Sequence, residues 1–161
     1  MPRLSHLPAA LLLCGTVLTA SASPDPNPKQ DALRFFEGTT EGTGVVKIVT
    51  RKPYRSHSTG NGVIKADGSL YLVQRITDEG SAPKTRRWNM RRVGPGRYTG
   101  TMSDAVGPVD VEEVGGKYRF RFKMNGHLSA EEWMIPDPSG RSATTQTRIR
   151  KFGFRVATLE G

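Results

Sequence analysis

Residues 117–134 read KYRFRFKMNGHLSAEEWM, two runs joined by Asn125-Gly126. In the first run Lys117, Arg119, Arg121 and Lys123 alternate with Tyr118, Phe120, Phe122 and Met124. A period of two with this sorting gives a strand with one basic face in solvent and one aromatic face on a core. Asn-Gly between two such runs is the strongest short hairpin signal, a two-residue type I′ turn. That turn sets Met124 opposite His127, Phe122 opposite Ser129, Phe120 opposite Glu131 and Tyr118 opposite Trp133. Arg119 then meets Glu132 on the outer face as a cross-strand ion pair.

This register turns Glu131 inward among aromatics. A carboxylate there must be paired or protonated, because an isolated buried charge is costly. In the run 84–90, Arg86 shares a face with Trp88 and Met90, and that face is the apolar one. Arg86 is therefore the expected interior counter-charge of Glu131, directly or through a ligand. A slip of one residue in either hairpin would move one of the pair into water.

Outward from this hairpin the same punctuation repeats. Asp67-Gly68, Pro95-Gly96, Gly115-Gly116 and Ser139-Gly140 separate runs rich in Val, Ile, Thr, Tyr and Phe. The expected strands are 43–50, 62–66, 69–77, 84–92, 97–102, 108–114, 117–124, 127–135, 142–151 and 154–159. Short strands with hairpin connections and no helical period predict an all-β fold, a single antiparallel barrel of about 8–10 strands. Closure also removes exposed sheet edges. Such a barrel is wide enough to hold one small ligand. Residues 31–37 (DALRFFE) predict a short helical turn capped by Asp31 and stopped at Gly38.

The N-terminal 22 residues read as an export signal. Arg3 precedes an apolar run over 7–20, and Ala20-Ser21-Ala22 offers a small-x-small cleavage site. The run is short for a membrane span, and no later stretch is more apolar. Residues 23–30 (SPDPNPKQ) form a proline-rich tether that favours extended geometry. The barrel domain is thus expected over 31–161, in a periplasmic or secreted protein. Cys14, the one cysteine, lies within the apolar run after Leu13, where a lipidation signal wants a small residue; lipid anchoring is therefore not expected. Cleavage would leave no thiol in the mature chain.

Composition agrees with one globular domain. Of 161 residues 35% are hydrophobic, and 18 Gly with 11 Pro favour turns over long helices. Lys plus Arg total 24 against 15 Asp plus Glu, a net charge of +9. In an exported protein such charge points to anionic envelope surfaces. Lys117, Arg119, Arg121 and Lys123 are the candidate contacts. Nucleic acid is disfavoured, since stacking needs aromatics exposed beside the arginines and these alternate to the opposite face.

With these residues read, the chain resembles domain-of-unknown-function family 3833, a set of exported bacterial proteins that includes many lipoproteins. The matching pieces are Phe36-Glu37-Gly38, Arg86-Arg87-Trp88, GRYTGTMSDAVG (96–107), EEWM (131–134) and KFGFRV (151–156). They stand in the family's order and span roughly 33–160. The resemblance implies a lipocalin-like barrel and no established activity. Two features depart from the family: its acidic pair before the tryptophan is usually aspartate, and its lipidated cysteine follows a proper lipobox.

Catalytic signatures are thin. The sequence has no phosphate loop, GxSxG elbow or HExxH pattern. His57 and His127 read as ordinary polar histidines, no metal site or cofactor is expected, and Asp104 reads as a turn cap. The leading expectation is a non-enzymatic barrel carrying a small apolar or amphiphilic molecule. Arg86, Trp88, Tyr98, Tyr118, Phe120, Phe122, Glu131 and Trp133 would line its pocket. The alternatives are an envelope interaction protein using the basic outer face and, third, an enzyme built around Glu131.

Overall fold

A computed structural model describes residues 31–161. The export signal, the tether and Cys14 lie outside the described residues. Ten antiparallel strands follow one another around a closed barrel, each paired with its neighbours in sequence. They are β1 (Gly38–Ile48), β2 (Tyr54–Ile64), β3 (Leu70–Asp78), β4 (Lys84–Gly94) and β5 (Arg97–Met102), then β6 (Val109–Val114), β7 (Lys117–Met124), β8 (Leu128–Pro136), β9 (Ala143–Lys151) and β10 (Phe154–Glu160). Closure comes from β1 against β10, with Val45 opposite Glu160 and Ile48 opposite Ala157. The expected lipocalin-like all-β barrel is the architecture found.

Alternation drives this result. In β7 the side chains of Tyr118, Phe120 and Phe122 are buried while Lys117, Arg121 and Lys123 are exposed. The same parity runs through β3, where Leu70, Leu72 and Ile76 are buried. Leu70 and Leu72 join Met90, Tyr98, Met102, Val109, Val111 and Met134 in one interior cluster. Successive strands run up and down, so the loops after β1, β3, β5, β7 and β9 gather at one end, here called the upper end. The lower end carries the N-terminal entry.

That entry is the expected helical turn, a single 3-10 turn over Arg34–Phe36. Asp31 Oδ1 accepts from the Leu33 amide at 2.9 Å, and the turn stops at Glu37 before Gly38 with φ of 82°. Ala32 and Leu33 are almost wholly buried in the barrel's apolar cluster, so the entry segment acts as a partial plug. Gly62 permits this approach, because a Cβ there would overlap the Phe36 carbonyl.

Two readings need correction. Strand β2 starts at Tyr54, well before the expected 62–66. Its inward positions, Ser56, Ser58, Gly60 and Gly62, carry no apolar signal because they line a cavity or lie under neighbouring side chains. The β7–β8 hairpin is the second. Met124 pairs with Leu128, leaving a three-residue loop of Asn125, Gly126 and His127, with φ of 75° at Gly126 and 61° at His127. The register slips by one residue from the two-residue turn. Phe120 faces Glu132, Arg121 faces Glu131, and Arg119 faces Trp133.

The consequence is an exchange of faces along β8. Ala130, Glu132 and Met134 point inward, whereas Glu131 and Trp133 point outward. This register also fits β9, whose inward Thr147 opposes Glu132. Glu131 lies outside between Arg121 and Arg148, a placement that costs no desolvation of an interior charge. Trp133 lies beneath Arg119, whose guanidinium carbon is 5.5 Å from the ring centre.

Candidate functional site

The barrel holds a partly open cavity of about 850 Å³. Its lower floor consists of Leu33, Leu70, Leu72, Met90, Tyr98 and Val111. Above this, Trp88, Phe120, Phe122, Ala130 and Ile149 make an apolar wall. Strands β1, β2 and β9 add small and polar lining positions, Gly42, Gly44, Ser56, Ser58, Thr145 and Thr147. Lys84, Arg86 and Asp78 line the upper end.

Strand pairing explains how these groups converge. Arg86 and Gln74 are direct partners on β4 and β3, and Leu72 pairs with Trp88 one step lower. Trp88 Nε1 donates to Gln74 Oε1 at 3.4 Å, and the Trp88 ring meets Phe122 edge-on at 6.4 Å. The Arg86 guanidinium carbon lies 5.9 Å from the Trp88 ring centre. Its Nε and Nη2 reach Asp104 Oδ2 at 3.0 and 2.9 Å. Asp104 thus does more than cap a turn, because it fixes the guanidinium at the upper end of the cavity. Partial burial pushes the Asp104 carboxyl up. Arg86 beside it and the Ser103 hydroxyl outweigh that, holding it below its ordinary range.

The interior carboxyl is Glu132. Its Oε2 accepts from Thr147 Oγ1 at 3.0 Å, across the β8–β9 pair. Burial pushes its pKa up from the ordinary glutamate value, and the Thr147 bond and the Arg86 charge only partly offset this. The expected pairing of Arg86 with Glu131 is not found: the interior carboxyl is Glu132, and the Arg86 charge acts on it only at a distance. The two do not form an ion pair, since Arg86 is held by Asp104.

At the lower end two tyrosines are buried, with ring centres 6.4 Å apart. Burial, reinforced by the nearby Asp31 carboxylate, pushes Tyr98 up to about 12. Burial raises Tyr118 as well.

Five of the eight expected pocket residues, Arg86, Trp88, Tyr98, Phe120 and Phe122, line the cavity. Tyr118 is buried below it rather than on its wall. Glu131 and Trp133 are on the outer face, so no pocket chemistry can be built on Glu131. Glu132 was missed as an interior group because the Asn-Gly signal hid the longer loop. Gln74, Thr147 and the small residues of β1 and β2 were missed because polar and glycine positions carry no core signal.

On the outer face, Arg119 is bound to Glu112, and Arg121 lies 3.7 Å from the same carboxylate. Of the four expected surface cations, two are thereby partly neutralised. Among the described residues no cluster of His, Cys, Asp and Glu is placed to hold a metal.

Residues 9–160 match the family described as "Protein of unknown function (DUF3833)". The chain belongs to this family. No curated protein matches it. Among solved structures, this DUF3833 protein is similar to the S-type phycobiliprotein lyase CPES from Guillardia theta. The TM-score is 0.62 at 8% identity, over 80% of this chain and 86% of that one. At that identity the likeness speaks for the barrel alone.

Proposed function

We propose that this DUF3833 protein holds one small amphiphilic molecule inside its barrel, in the bacterial cell envelope. One observation carries the reading: a cavity of about 850 Å³ with an apolar aromatic wall and a charged upper end. Binding sites for small molecules are concave, mostly apolar and of a few hundred to about 1,000 Å³, with a few placed polar groups. Here the apolar part of the ligand packs on Trp88, Phe120 and Phe122. Its polar part meets Gln74, Glu132 and Thr147, and an anionic or strongly polar end reaches Arg86. Export rests on the apolar run over 7–20 and its small-x-small end. The structural neighbour is a lyase by name, and nothing in the DUF3833 cavity transfers that reaction to this chain.

The test is a titration of the full chain with a dansylated long-chain fatty acid, read by energy transfer from tryptophan. Saturable binding at one site is expected, weakened about tenfold or more by Arg86→Gln through loss of a charge-assisted hydrogen bond. Ala130→Phe, which fills the wall between Phe122 and Ile149, should reduce it as well. Absence of saturable binding by the parent chain, or equal binding by both variants, refutes the reading.

A further inference from the structure

The upper end of the barrel is chemically unlike the lower. Among the described residues, the most exposed large hydrophobics are Phe154 at 78%, Val49 at 76% and Phe152 at 70%, and all three stand at the upper end. Val106, 50% exposed, is in the β5–β6 loop at the same end. The Val49 amide donates to Val156 O at 3.1 Å, two residues from Phe154, and Val106 shares a surface depression with His127, on which Phe152 stacks. Exposed apolar side chains gathered at one place mark an interaction or membrane site, whereas singly scattered ones do not.

Basic side chains interleave with these apolar groups. Arg51 and Lys52 follow Val49, Lys151 and Arg155 flank the two phenylalanines, and Lys123 closes β7 beside Val106; all five are exposed. Among the described residues none of the five is in an ion pair, whereas the acidic groups nearby are engaged. Lys84 holds Asp78 at 3.2 Å, Arg86 holds Asp104, and Glu79 accepts from the Arg55 amide.

The hairpin that presents the rings is built against local preference. Lys151 pairs with Phe154, so Phe152 and Gly153 are the two central turn residues, with φ of 50° and 86°. A turn of this kind asks for Asn-Gly, and a bulky aromatic in left-handed backbone is an outlier. Phe152 is nonetheless held there, stacked on His127 at 5.1 Å, itself at a positive φ. Strain of this kind at an exposed aromatic points from structure toward function.

We infer that the upper end of the barrel docks on an anionic phospholipid surface, with Phe152, Phe154 and Val49 entering the interface and Arg51, Lys52, Lys123, Lys151 and Arg155 meeting the lipid phosphates. Apolar side chains at headgroup depth and surrounding cations are the two terms that hold a peripheral protein on a bilayer. This inference goes beyond the cavity reading and stands without it. Docked this way, the end of the cavity lined by Lys84 and Arg86 faces the membrane.

The full chain is co-sedimented with vesicles of phosphatidylcholine, alone and mixed with phosphatidylglycerol, with no other ligand added. Binding to the mixed vesicles is expected, falling as salt is raised. The F152N/F154S variant should lower the partition coefficient about tenfold or more, and K151E/R155E by a similar factor. F152N alone restores the preferred turn residue, so its melting temperature should equal or exceed the parent's while its vesicle binding falls. The V93S/V114S variant, which removes exposed valines at the lower end, should bind as the parent does. Unchanged binding by F152N/F154S, or an equal loss in V93S/V114S, overturns the inference. So does a parent dimer that F152N/F154S converts to monomer, which would assign this surface to a second copy of the chain.

Discussion

Glu132 and Thr147 are opposite one another on β8 and β9, and their side chains meet at 3.0 Å inside the barrel. Glutamate is among the residues least often buried unless paired, and this one has a hydroxyl and a distant guanidinium for company. The pair adds polar groups to the cavity wall directly beside Phe120, the cross-strand partner of Glu132. It also links the stability of the barrel to pH.

Burial raises the Glu132 pKa in the folded state above that in the unfolded chain. The folded form therefore keeps its proton to higher pH. Its contribution is fully present below the unfolded carboxylate range and is lost as pH rises toward the folded value. E132Q removes that slope. Urea unfolding should show the variant close to the parent near pH 4 and more stable by about 1–3 kcal/mol near pH 8, the cost of an imperfectly satisfied buried charge. A variant less stable than the parent at both pH values would mean that Glu132 is well compensated.

The β7–β8 register predicts a cross-link. Arg121 and Glu131 are direct partners on the outer face, and such pairs place Cβ atoms about 4.5–5.5 Å apart. With Cys14 replaced by serine, R121C/E131C should oxidise to a disulfide detected by thiol titration. F120C/E131C, the pair a two-residue turn would bring together, should not. The reverse outcome restores the shorter turn and returns Glu131 to the interior.

Gly62 tests the plug. A Cβ at this position collides with the Phe36 carbonyl oxygen, a backbone atom that cannot swing aside as a flexible side chain does. G62A should destabilise the protein by about 1–3 kcal/mol, the usual cost of overpacking. It should also speed proteolysis between residues 31 and 38. Unaltered stability and cleavage would show that the entry segment does not brace the barrel.

Much of the barrel was legible because its strands sort residues cleanly between two environments. KYRFRFKM, with three of its four aromatic-face residues buried, is the clearest case. The cavity was legible only in part, for a physical reason. A wall that faces empty space need not be apolar, so Ser56, Ser58 and Thr147 look like loop or surface residues in sequence. The hairpin error had a different source. Asn125-Gly126 satisfies the rule for a two-residue turn, yet adding His127 to the loop buries Ala130 and Met134 and frees Glu131 from the interior. Packing on β9 outweighed local turn preference. Arg86 faces inward because Trp88 and Met90 share its face, but its partner there is Asp104 and not Glu131.

The cavity is the feature on which the proposed ligand binding depends. Native mass spectrometry of the protein, purified from cells without denaturant, tests it most directly. A reproducible added mass is expected, lost on denaturation and reduced in the Ala130→Phe variant. A bare polypeptide mass that stays bare after incubation with envelope lipid extract would contradict it.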